Sequence, residues 1–155
     1  MSDVILRSAV VDDAKGISEV LQEIVTAGKR TKPSDESFAK EHYISHCGSI
    51  QCTVAVQGSQ VLGFQALILA VDGNTYGVTA GWGIIGTHIR PSAARMGVGR
   101  ALFQKTLLAA RAAGLPAIDA TIGAHNAEGL AYYAAMGFVG YRSHEGAVCK
   151  KYQLA

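Results

Sequence analysis

Three stretches in the middle of the chain have the composition of β-strands, and short turns join them. The stretches are residues 50–56, 61–71 and 78–89, with turn sequences at Gly58-Ser59 and at Asp72-Gly73-Asn74 between them. Turns this short connect antiparallel neighbours, whereas parallel strands need long crossover connections. The centre of the chain is therefore predicted to be an antiparallel meander, which a fold of alternating βαβ units would not contain.

The N-terminal part of the chain is predicted to be one strand followed by two helices. Residues 4–10 have strand composition, and Asp12-Asp13 then precede a helical apolar pattern that Gly28 ends. A basic loop, Lys29-Arg30-Thr31-Lys32-Pro33, leads to Ser34, which is predicted to cap a second helix that reaches about residue 46.

The C-terminal part alternates between helix and strand. The pattern predicts a helix over residues 98–113, a strand over 116–122, a helix over 126–136 and two strands over 138–141 and 148–154. Asn126 is expected to cap the second of these helices and Gly137 to end it. Residues 1–155 are thus predicted to form a single mixed α/β domain, with a mostly antiparallel sheet and about four helices.

Composition narrows the class of protein. The chain has 155 residues, of which 49% are hydrophobic and 17% charged, so a disordered chain is excluded and an apolar subunit interface, as in a homodimer, stays open. A net charge of +2 gives no reason to expect nucleic acid or a membrane surface as partner. We expect a cytoplasmic protein, because neither a signal peptide nor a membrane span is evident. Three cysteines without Cys-x-x-Cys spacing are expected to be reduced thiols.

The sequence Arg95-Met96-Gly97-Val98-Gly99-Arg100 joins a predicted strand to a predicted helix. Glycines permit a tight bend and a close approach of ligand to backbone, and the start of a helix offers unpaired amides to a phosphate. Close packing of a helix on a sheet is the alternative explanation for such glycines. This stretch predicts a phosphate site if its neighbours support one.

Two motifs in the second half of the chain resemble those of the Gcn5-related N-acetyltransferases, the GNAT family. One comprises Ile89-Arg90-Pro91 and, after five more residues, Gly97-Val98-Gly99-Arg100-Ala101-Leu102. The other begins at Asn126, has Tyr133 seven residues later and closes with Gly137-Phe138. The resemblance implies a GNAT-like sheet in which the fourth and fifth strands splay apart. Gly81, Gly83 and Gly86 are candidates for a bulge that would produce that splay.

The resemblance also implies acetyl-CoA as co-substrate and no metal. Backbone amides at the start of the helix would hold its diphosphate, and the end of the fourth strand would pair with its pantetheine arm. The residues expected to bind it are Ile89, Arg90, Arg95, Met96, Gly97, Val98, Gly99, Arg100, Ala101 and Asn126. One departure from the family pattern is Ala94, which stands where relatives usually have Gln or Arg.

Tyr133 matches the position that the family commonly uses as general acid for the departing CoA thiolate. A phenol with a pKa of about 10 suits a thiolate whose conjugate acid has a pKa of about 8.5. Packing of the ring is the alternative role for Tyr133, and Tyr132 is expected to be structural. No carboxylate lies in the fourth strand to serve as general base. His88 is nearest, but alternation places it on the opposite face from Thr87 and Ile89, so a water relay is the other option.

The acceptor is predicted to be a primary amine of a small molecule. Trp82, His88, Lys29 and Arg30 are the candidate residues of its pocket, and the basic loop suits a carboxylate, as in the phosphinothricin and small amino-acid branch of the family. A protein N-terminus or lysine is the alternative acceptor. An acyl-CoA sensor without turnover is the alternative from another class, because Ala94 departs from the pattern and no base is evident.

Two other residue patterns in the chain are compatible with binding sites. His42 and His46 lie four residues apart on a predicted helix with Cys47 beside them, a spacing that can hold zinc, but a fourth ligand is not evident. Asp119 lies about twenty residues beyond Gly99, as ribose-binding acids of dinucleotide folds do, yet Leu102 replaces the third glycine of that motif. Neither alternative is favoured.

Overall fold

A seven-stranded sheet runs through the centre of the computed structural model, which describes residues 3–155. The strand order is β1-β2-β3-β4-β5-β7-β6, and every neighbouring pair is antiparallel except β4 and β5. The strands are β1 (Val4–Ser8), β2 (Ser49–Gln57), β3 (Gln60–Leu69), β4 (Gly83–Ile89), β5 (Ala117–Gly123), β6 (Val139–His144) and β7 (Ala147–Gln153). The predicted mixed α/β fold with a mostly antiparallel sheet is confirmed.

Four α-helices flank the sheet: α1 (Ala14–Thr26), α2 (Glu36–Ala39), α3 (Val98–Ala112) and α4 (Ala127–Met136). On one face, α1 and α2 pack over β2 and β3 around Leu21 and Phe64. On the other face, α3 and α4 cover β2, β3, β4 and β5, with Phe103 and Ile118 among the buried residues. Among residues 3–155, no helix combines the length and the apolar character that crossing a membrane requires.

The helix ends follow their local sequence signals closely. The Asn126 side chain accepts a hydrogen bond from the Gly129 amide, and Gly137 ends α4 in the left-handed conformation with a φ of 105°. The second helix differs from its prediction, because Asp35, not Ser34, caps it by accepting from the Phe38 amide. A π-helix, Lys40–Ile44, directly follows α2. The segment predicted as one helix is therefore part α-helix and part π-helix.

The strand predicted over residues 78–89 is shorter than expected. Residues 78–82 lie outside the strand, in a loop whose first part, residues 71–78, is held by the Asn74 side-chain amide, which donates to the carbonyls of Val71 and Val78. Val78 is nevertheless buried, against Ala70 and Ile84. Val78 is apolar because the loop packs against the core, and this apolar residue made the loop sequence resemble part of a strand.

The splay between β4 and β5 is the feature of the sheet that creates a site. In the described chain the two strands pair at two positions only, Gly83 with Ile118 and Ile84 with Asp119, although β4 continues to Ile89. The expected glycine bulge is wrong as a cause, because β4 pairs with β3 in an unbroken register from Gly83 to Ile89. The gap lies at the carboxyl ends of the two parallel strands, where crevices in such sheets bind ligands.

Asp13 fixes the turn between β1 and α1. Its carboxylate accepts hydrogen bonds from the Val10 amide at 2.8 Å and from both terminal nitrogens of Arg7 at 2.8 and 2.9 Å. Hydrogen bonding from Arg7 holds the pKa of Asp13 below its ordinary value, against the opposing effect of burial.

For Asp13→Asn we expect the free energy of unfolding at pH 7 to fall by about 1 kcal/mol, measured by urea denaturation. Because the folded-state pKa is depressed, the advantage of the wild type is complete above the ordinary pKa of aspartate. It disappears as the pH falls through the folded-state pKa. A difference between wild type and variant that is the same at neutral pH and at acid pH would contradict the role of the ionised carboxylate.

Candidate active site

The gap between β4 and β5 opens into a cleft of about 830 Å³. Because successive residues of a strand face opposite sides of the sheet, the gap has chemically different mouths on its two faces. On the α4 face, the Thr87 side chain contacts Tyr133. On the α1 face, the His88 side chain contacts Arg30. Two substrates that approach from opposite faces can therefore meet in the gap.

A second hollow of about 300 Å³ lies at the start of α3 and shares Ile89 with the large cleft. Gly97 precedes the helix in the left-handed conformation, with a φ of 77° that favours glycine. The Ala101 amide donates to the Gly97 carbonyl, so the amides of Val98, Gly99 and Arg100 have no acceptor within the helix. Three amides at the positive end of a helix dipole fit a diphosphate.

Gly99 also allows close packing of two helices. Both explanations of this glycine, phosphate binding and close packing, are therefore compatible with the structure. A Cβ atom at this position would lie 2.6 Å from Cε1 of Tyr132 and 3.1 Å from Cδ1 of Ile89. The Tyr132 hydroxyl donates to the Gly99 carbonyl at 2.7 Å. The glycine thus lets α3 lie directly against α4.

The edge of β4 that faces the gap carries backbone groups that do not pair with β5 beyond Ile84. The Arg90 amide donates to the Leu62 carbonyl of β3. Since alternate residues of a strand direct their amides to opposite edges, the amides of Thr87 and Ile89 point to the β5 side, where pairing has already ended. An extended ligand in the gap can pair with this edge.

Tyr133 occupies the α4 side of the gap. It is buried, lines the cleft, and its hydroxyl lies 2.8 Å from Oγ1 of Thr87. Burial raises the pKa of Tyr133, and hydrogen bonding with Thr87 opposes that rise. The phenol is therefore fully protonated at neutral pH.

Arg30 and His88 form the opposite wall. Arg30 donates to the Pro33 carbonyl at 2.7 Å, and its Nη1 lies 3.5 Å from Nε2 of His88. Burial, reinforced by the charges of Arg30 and Lys32, lowers the pKa of His88 to about 3, so the ring is neutral. Because a guanidinium only donates, Nε2 accepts and the ring hydrogen resides on Nδ1. Within residues 3–155, neither Nδ1 of His88 nor Nε of Arg30 finds a hydrogen-bond partner.

The basic loop crosses to the far side of the cleft. Lys29 forms an ion pair with Glu128 in the first turn of α4. Glu128 is the only carboxylate among the described residues that line the cleft, whereas Lys29, Arg30, Lys32 and Arg95 all line it. The cleft is therefore electropositive.

The structure does not bring every candidate residue to the cleft. Trp82 packs against Tyr141 and Lys151, outside the cleft lining, which corrects its expected place in the acceptor pocket. Met96 lines neither hollow and is 46% exposed. The Ala101 amide is used within the helix, so it is not a free phosphate donor.

Arg90 lines the large cleft, and its guanidinium also has structural partners. Its side chain is buried, donates to the Val61 carbonyl and pairs with Glu23, so the guanidinium holds α1 to β4. Asn126 lines the cleft while it caps α4. The remaining expected cofactor residues, Ile89, Arg95, Gly97, Val98, Gly99 and Arg100, line the hollow at the start of α3.

Three residues of the site were missed in the sequence. Gln65 is fully buried and donates to Thr87 and Tyr132, and Tyr43 lies within 3.5 Å of Arg30. A glutamine inside the otherwise apolar run of β3 was the available signal, since a buried amide needs partners. Thr87 and Tyr43 carry no comparable signal, because threonine and tyrosine are common in strands and helices of any core.

The two alternative sites acquire structural explanations. Nδ1 of His46 accepts from the Gly48 amide, and His42 stacks on Phe38. Asp119 is fully buried and accepts hydrogen bonds from Tyr141 and Thr121, so it is not placed to bind a ribose. The observed contacts of these residues support neither a zinc site nor a dinucleotide site.

A splayed parallel strand pair beside a helix start with free amides is the arrangement expected of an acyl-CoA-dependent N-acetyltransferase. The family model of the GNAT acetyltransferases matches residues 16–138, well over half of the chain. The chain belongs to the GNAT family, whose members take an acetyl group from acetyl-CoA. No curated protein sequence matches the chain.

Solved structures show the same fold at low sequence identity. A Gcn5-related N-acetyltransferase from Kribbella flavida is 22% identical with a TM-score of 0.79, over 97% of this chain and 98% of the other. The PaiA N-acetyltransferase of Thermoplasma acidophilum, solved with coenzyme A, is 16% identical with a TM-score of 0.76, over 98% and 99%. The yncA protein of Salmonella typhimurium, solved with acetyl-CoA, is 20% identical with a TM-score of 0.74, over 98% and 94%.

Proposed function

We propose that this enzyme transfers the acetyl group of acetyl-CoA to a primary amine of a small molecule that also carries a carboxylate, such as an amino acid or an analogue. The observation that carries the acceptor class is the wall formed by Arg30 and neutral His88, where two buried N–H groups find no partner among the described residues. A carboxylate oxygen satisfies such donors and pairs with the guanidinium.

The hollow at the start of α3 fits the diphosphate of acetyl-CoA. The free amides of Val98, Gly99 and Arg100 converge there, with Arg95 and Arg100 as cationic neighbours. Because these donors belong to the backbone, Ala94 does not remove the anion site. Acetyl-CoA supplies the acetyl group as a thioester, and the amides of Thr87 and Ile89 face the gap in which its carbonyl would lie.

Tyr133 is proposed as the general acid that serves the leaving sulfur. It lies in the gap, is protonated at neutral pH and faces the edge of β4. A phenol held in place stabilises a departing thiolate by donating to it. Ordering both substrates in one cleft supplies much of the remaining acceleration.

No protein base is assigned to the amine. His88 is too weak a base, because its pKa is about 3, and Glu128 is engaged by Lys29. The cations that line the cleft disfavour a bound ammonium, so the acceptor is proposed to react as the neutral amine after losing its proton to water.

For Arg30→Gln we expect the KM of an amino-acid acceptor to rise roughly 10- to 100-fold, since a charge-assisted hydrogen bond contributes about 1.5–3 kcal/mol. The KM of the matched amine without a carboxylate is expected to stay within about twofold of wild type. Steady-state kinetics with the two acceptors measures this difference. Arg111→Gln, on the exposed end of α3, is the matched control. Equal losses for both acceptors would contradict the proposed carboxylate contact.

Two other functions have specific support. A protein N-terminus or lysine is the alternative acceptor, because the cleft is open to the surface, and it predicts that peptides outperform free amino acids. An acyl-CoA sensor is supported by the absence of an assigned base in the described cleft. It predicts tight binding of acetyl-CoA, measured by calorimetry, without turnover of any amine.

The setting of the enzyme is also a proposal. Residues 1–155 are proposed to act as one domain in the cytoplasm, which the three free cysteines support. A homodimer is supported by exposed apolar side chains in the edge strand β1 and just after it, among them Ile5 and Val10. Sedimentation at several concentrations tests the oligomeric state.

A further inference from the structure

Four hydrogen bonds link the start of α3 to Tyr133 through the fully buried side chain of Gln65. The Tyr132 hydroxyl donates to the Gly99 carbonyl at 2.7 Å, and Nε2 of Gln65 lies 3.0 Å from that hydroxyl. The same Nε2 lies 2.9 Å from Oγ1 of Thr87, which lies 2.8 Å from the Tyr133 hydroxyl.

The directions of the first three hydrogen bonds in this network follow from the Gly99 carbonyl. A carbonyl only accepts, so the hydroxyl hydrogen of Tyr132 lies on the bond to Gly99. Tyr132 therefore accepts from Gln65, which turns the amide nitrogen of Gln65 towards the network. That nitrogen has two hydrogens, and the second is donated to Thr87.

Thr87 receives the hydrogen of Gln65 and has one hydrogen of its own to give. Tyr132 and Tyr133 both hydrogen-bond with Thr87, and the Tyr133 oxygen lies 2.8 Å away. If Thr87 donates there, the hydroxyl hydrogen of Tyr133 is left for the cleft.

We propose that Gln65 and Thr87 are positioning residues, which orient the hydrogen bonds so that Tyr133 presents its proton to the leaving sulfur. This inference rests on the proposed function, because it takes Tyr133 as the general acid.

Two further observations support a directional role. A hydrogen bond donated to the phenol oxygen stabilises the phenolate, so Thr87 makes Tyr133 a better acid in a site where burial raises its pKa. Oε1 of Gln65 finds no hydrogen-bond partner within residues 3–155. A buried unpaired oxygen is a disadvantage for stability that leucine or methionine would avoid. The advantage of Gln65 at this position therefore lies in the two hydrogen bonds that its amide nitrogen donates.

The transfer step balances as follows. The amine nitrogen forms its bond to the acetyl carbon, the carbon–sulfur bond breaks, and the sulfur electron pair takes the Tyr133 proton. The nitrogen releases one proton to water, and Tyr133 regains one from water. The products are one amide and one CoA thiol, with no change in oxidation state.

The first test measures the pKa of the CoA thiol in the enzyme–CoA complex, from the ultraviolet absorbance of the thiolate. In the wild type we expect this pKa to lie about one unit or more below that of free CoA, because Tyr133 donates to the thiolate. Thr87→Val and Gln65→Glu are expected to remove at least half of this lowering, and Thr87→Ser to retain it. An ionised carboxylate only accepts, so Gln65→Glu in its ionised form reverses the direction of the network.

Calorimetry confirms that each variant binds CoA, and Gln65→Leu is the alternative should the buried carboxylate prevent folding. It is expected to move the thiol pKa in the same direction by a smaller amount. If Thr87→Val and the folded Gln65 variant bind CoA with an unchanged thiol pKa, the inference is overturned.

The second test is a double-mutant cycle in kcat. Thr87→Val is expected to lower kcat about tenfold in the wild type and less than about twofold in a Tyr133→Phe background, because it acts through Tyr133. Equal losses in both backgrounds would overturn the inference.

The experiments distinguish failure of the proposed role of Tyr133 from failure of the positioning role of Gln65 and Thr87. If Tyr133→Phe changes neither kcat nor the thiol pKa, the proposed role of Tyr133 fails and takes this inference with it. If Tyr133→Phe changes both and the Gln65 and Thr87 variants change neither, only the inference fails. The thiol pKa needs no acceptor, so an error in the acceptor class does not affect that measurement.

Discussion

Tyr133→Phe is expected to lower kcat by roughly 100-fold or more, within the range for loss of a general acid. The ring stays packed against Phe138 and only the hydroxyl next to Thr87 is removed, so the fold and the diphosphate site are undisturbed. The dissociation constant of acetyl-CoA is expected to change by less than about threefold. Single-turnover kinetics and calorimetry measure the two quantities separately.

A second tyrosine provides the matched control. Tyr141→Phe also removes a tyrosine hydroxyl that has a side-chain hydrogen bond, here to the buried Asp119. Tyr141 does not line the cleft. It is expected to leave kcat within about threefold of wild type. A Tyr133→Phe enzyme as active as Tyr141→Phe would sink the role of Tyr133 as acid.

Gly99→Val is expected to weaken acetyl-CoA binding by about 100-fold or more. Even a single Cβ atom would lie 2.6 Å from the Tyr132 ring and 3.1 Å from Ile89, so α3 must shift away from α4. That shift displaces the amides of Val98, Gly99 and Arg100, whose convergence is proposed to hold the diphosphate. Calorimetric titration with acetyl-CoA measures the loss, with circular dichroism to confirm folding.

Gly140→Val is the matched control for this substitution. Gly140 lies in β6 with ordinary strand φ and no atom within 4 Å of the position of a Cβ. Acetyl-CoA affinity is expected to be unchanged there. Wild-type affinity in Gly99→Val would show that the start of α3 does not hold the co-substrate.

The helices of the site were predictable because their limits depend on neighbouring residues. Gly97 and Val98 begin α3, and Asn126 and Gly137 bound α4, as the sequence predicts. Capping is a local interaction, so a single sequence contains the information. The position of Tyr133 in the gap was predictable for a different reason, namely its resemblance to a family motif.

The rest of the cleft depends on contacts between distant parts of the chain. Trp82 is an aromatic residue near the site in sequence, yet it packs against Tyr141 and Lys151. Gln65 lies in a strand that reads as plain apolar core, and only the sheet register places it opposite Thr87. Registers between strands are set by tertiary packing, so composition did not reveal this pair.

The direct test of the central claim is CoA release from acetyl-CoA with three sets of acceptors. They are free amino acids, the same amines without the carboxylate, and short peptides with free N-termini. The structure predicts the highest kcat/KM with free amino acids or their analogues, by about tenfold or more over the matched amines, because Arg30 and His88 offer N–H donors to a carboxylate. Highest activity with peptides, or no release with any amine by an enzyme that binds acetyl-CoA, would contradict it.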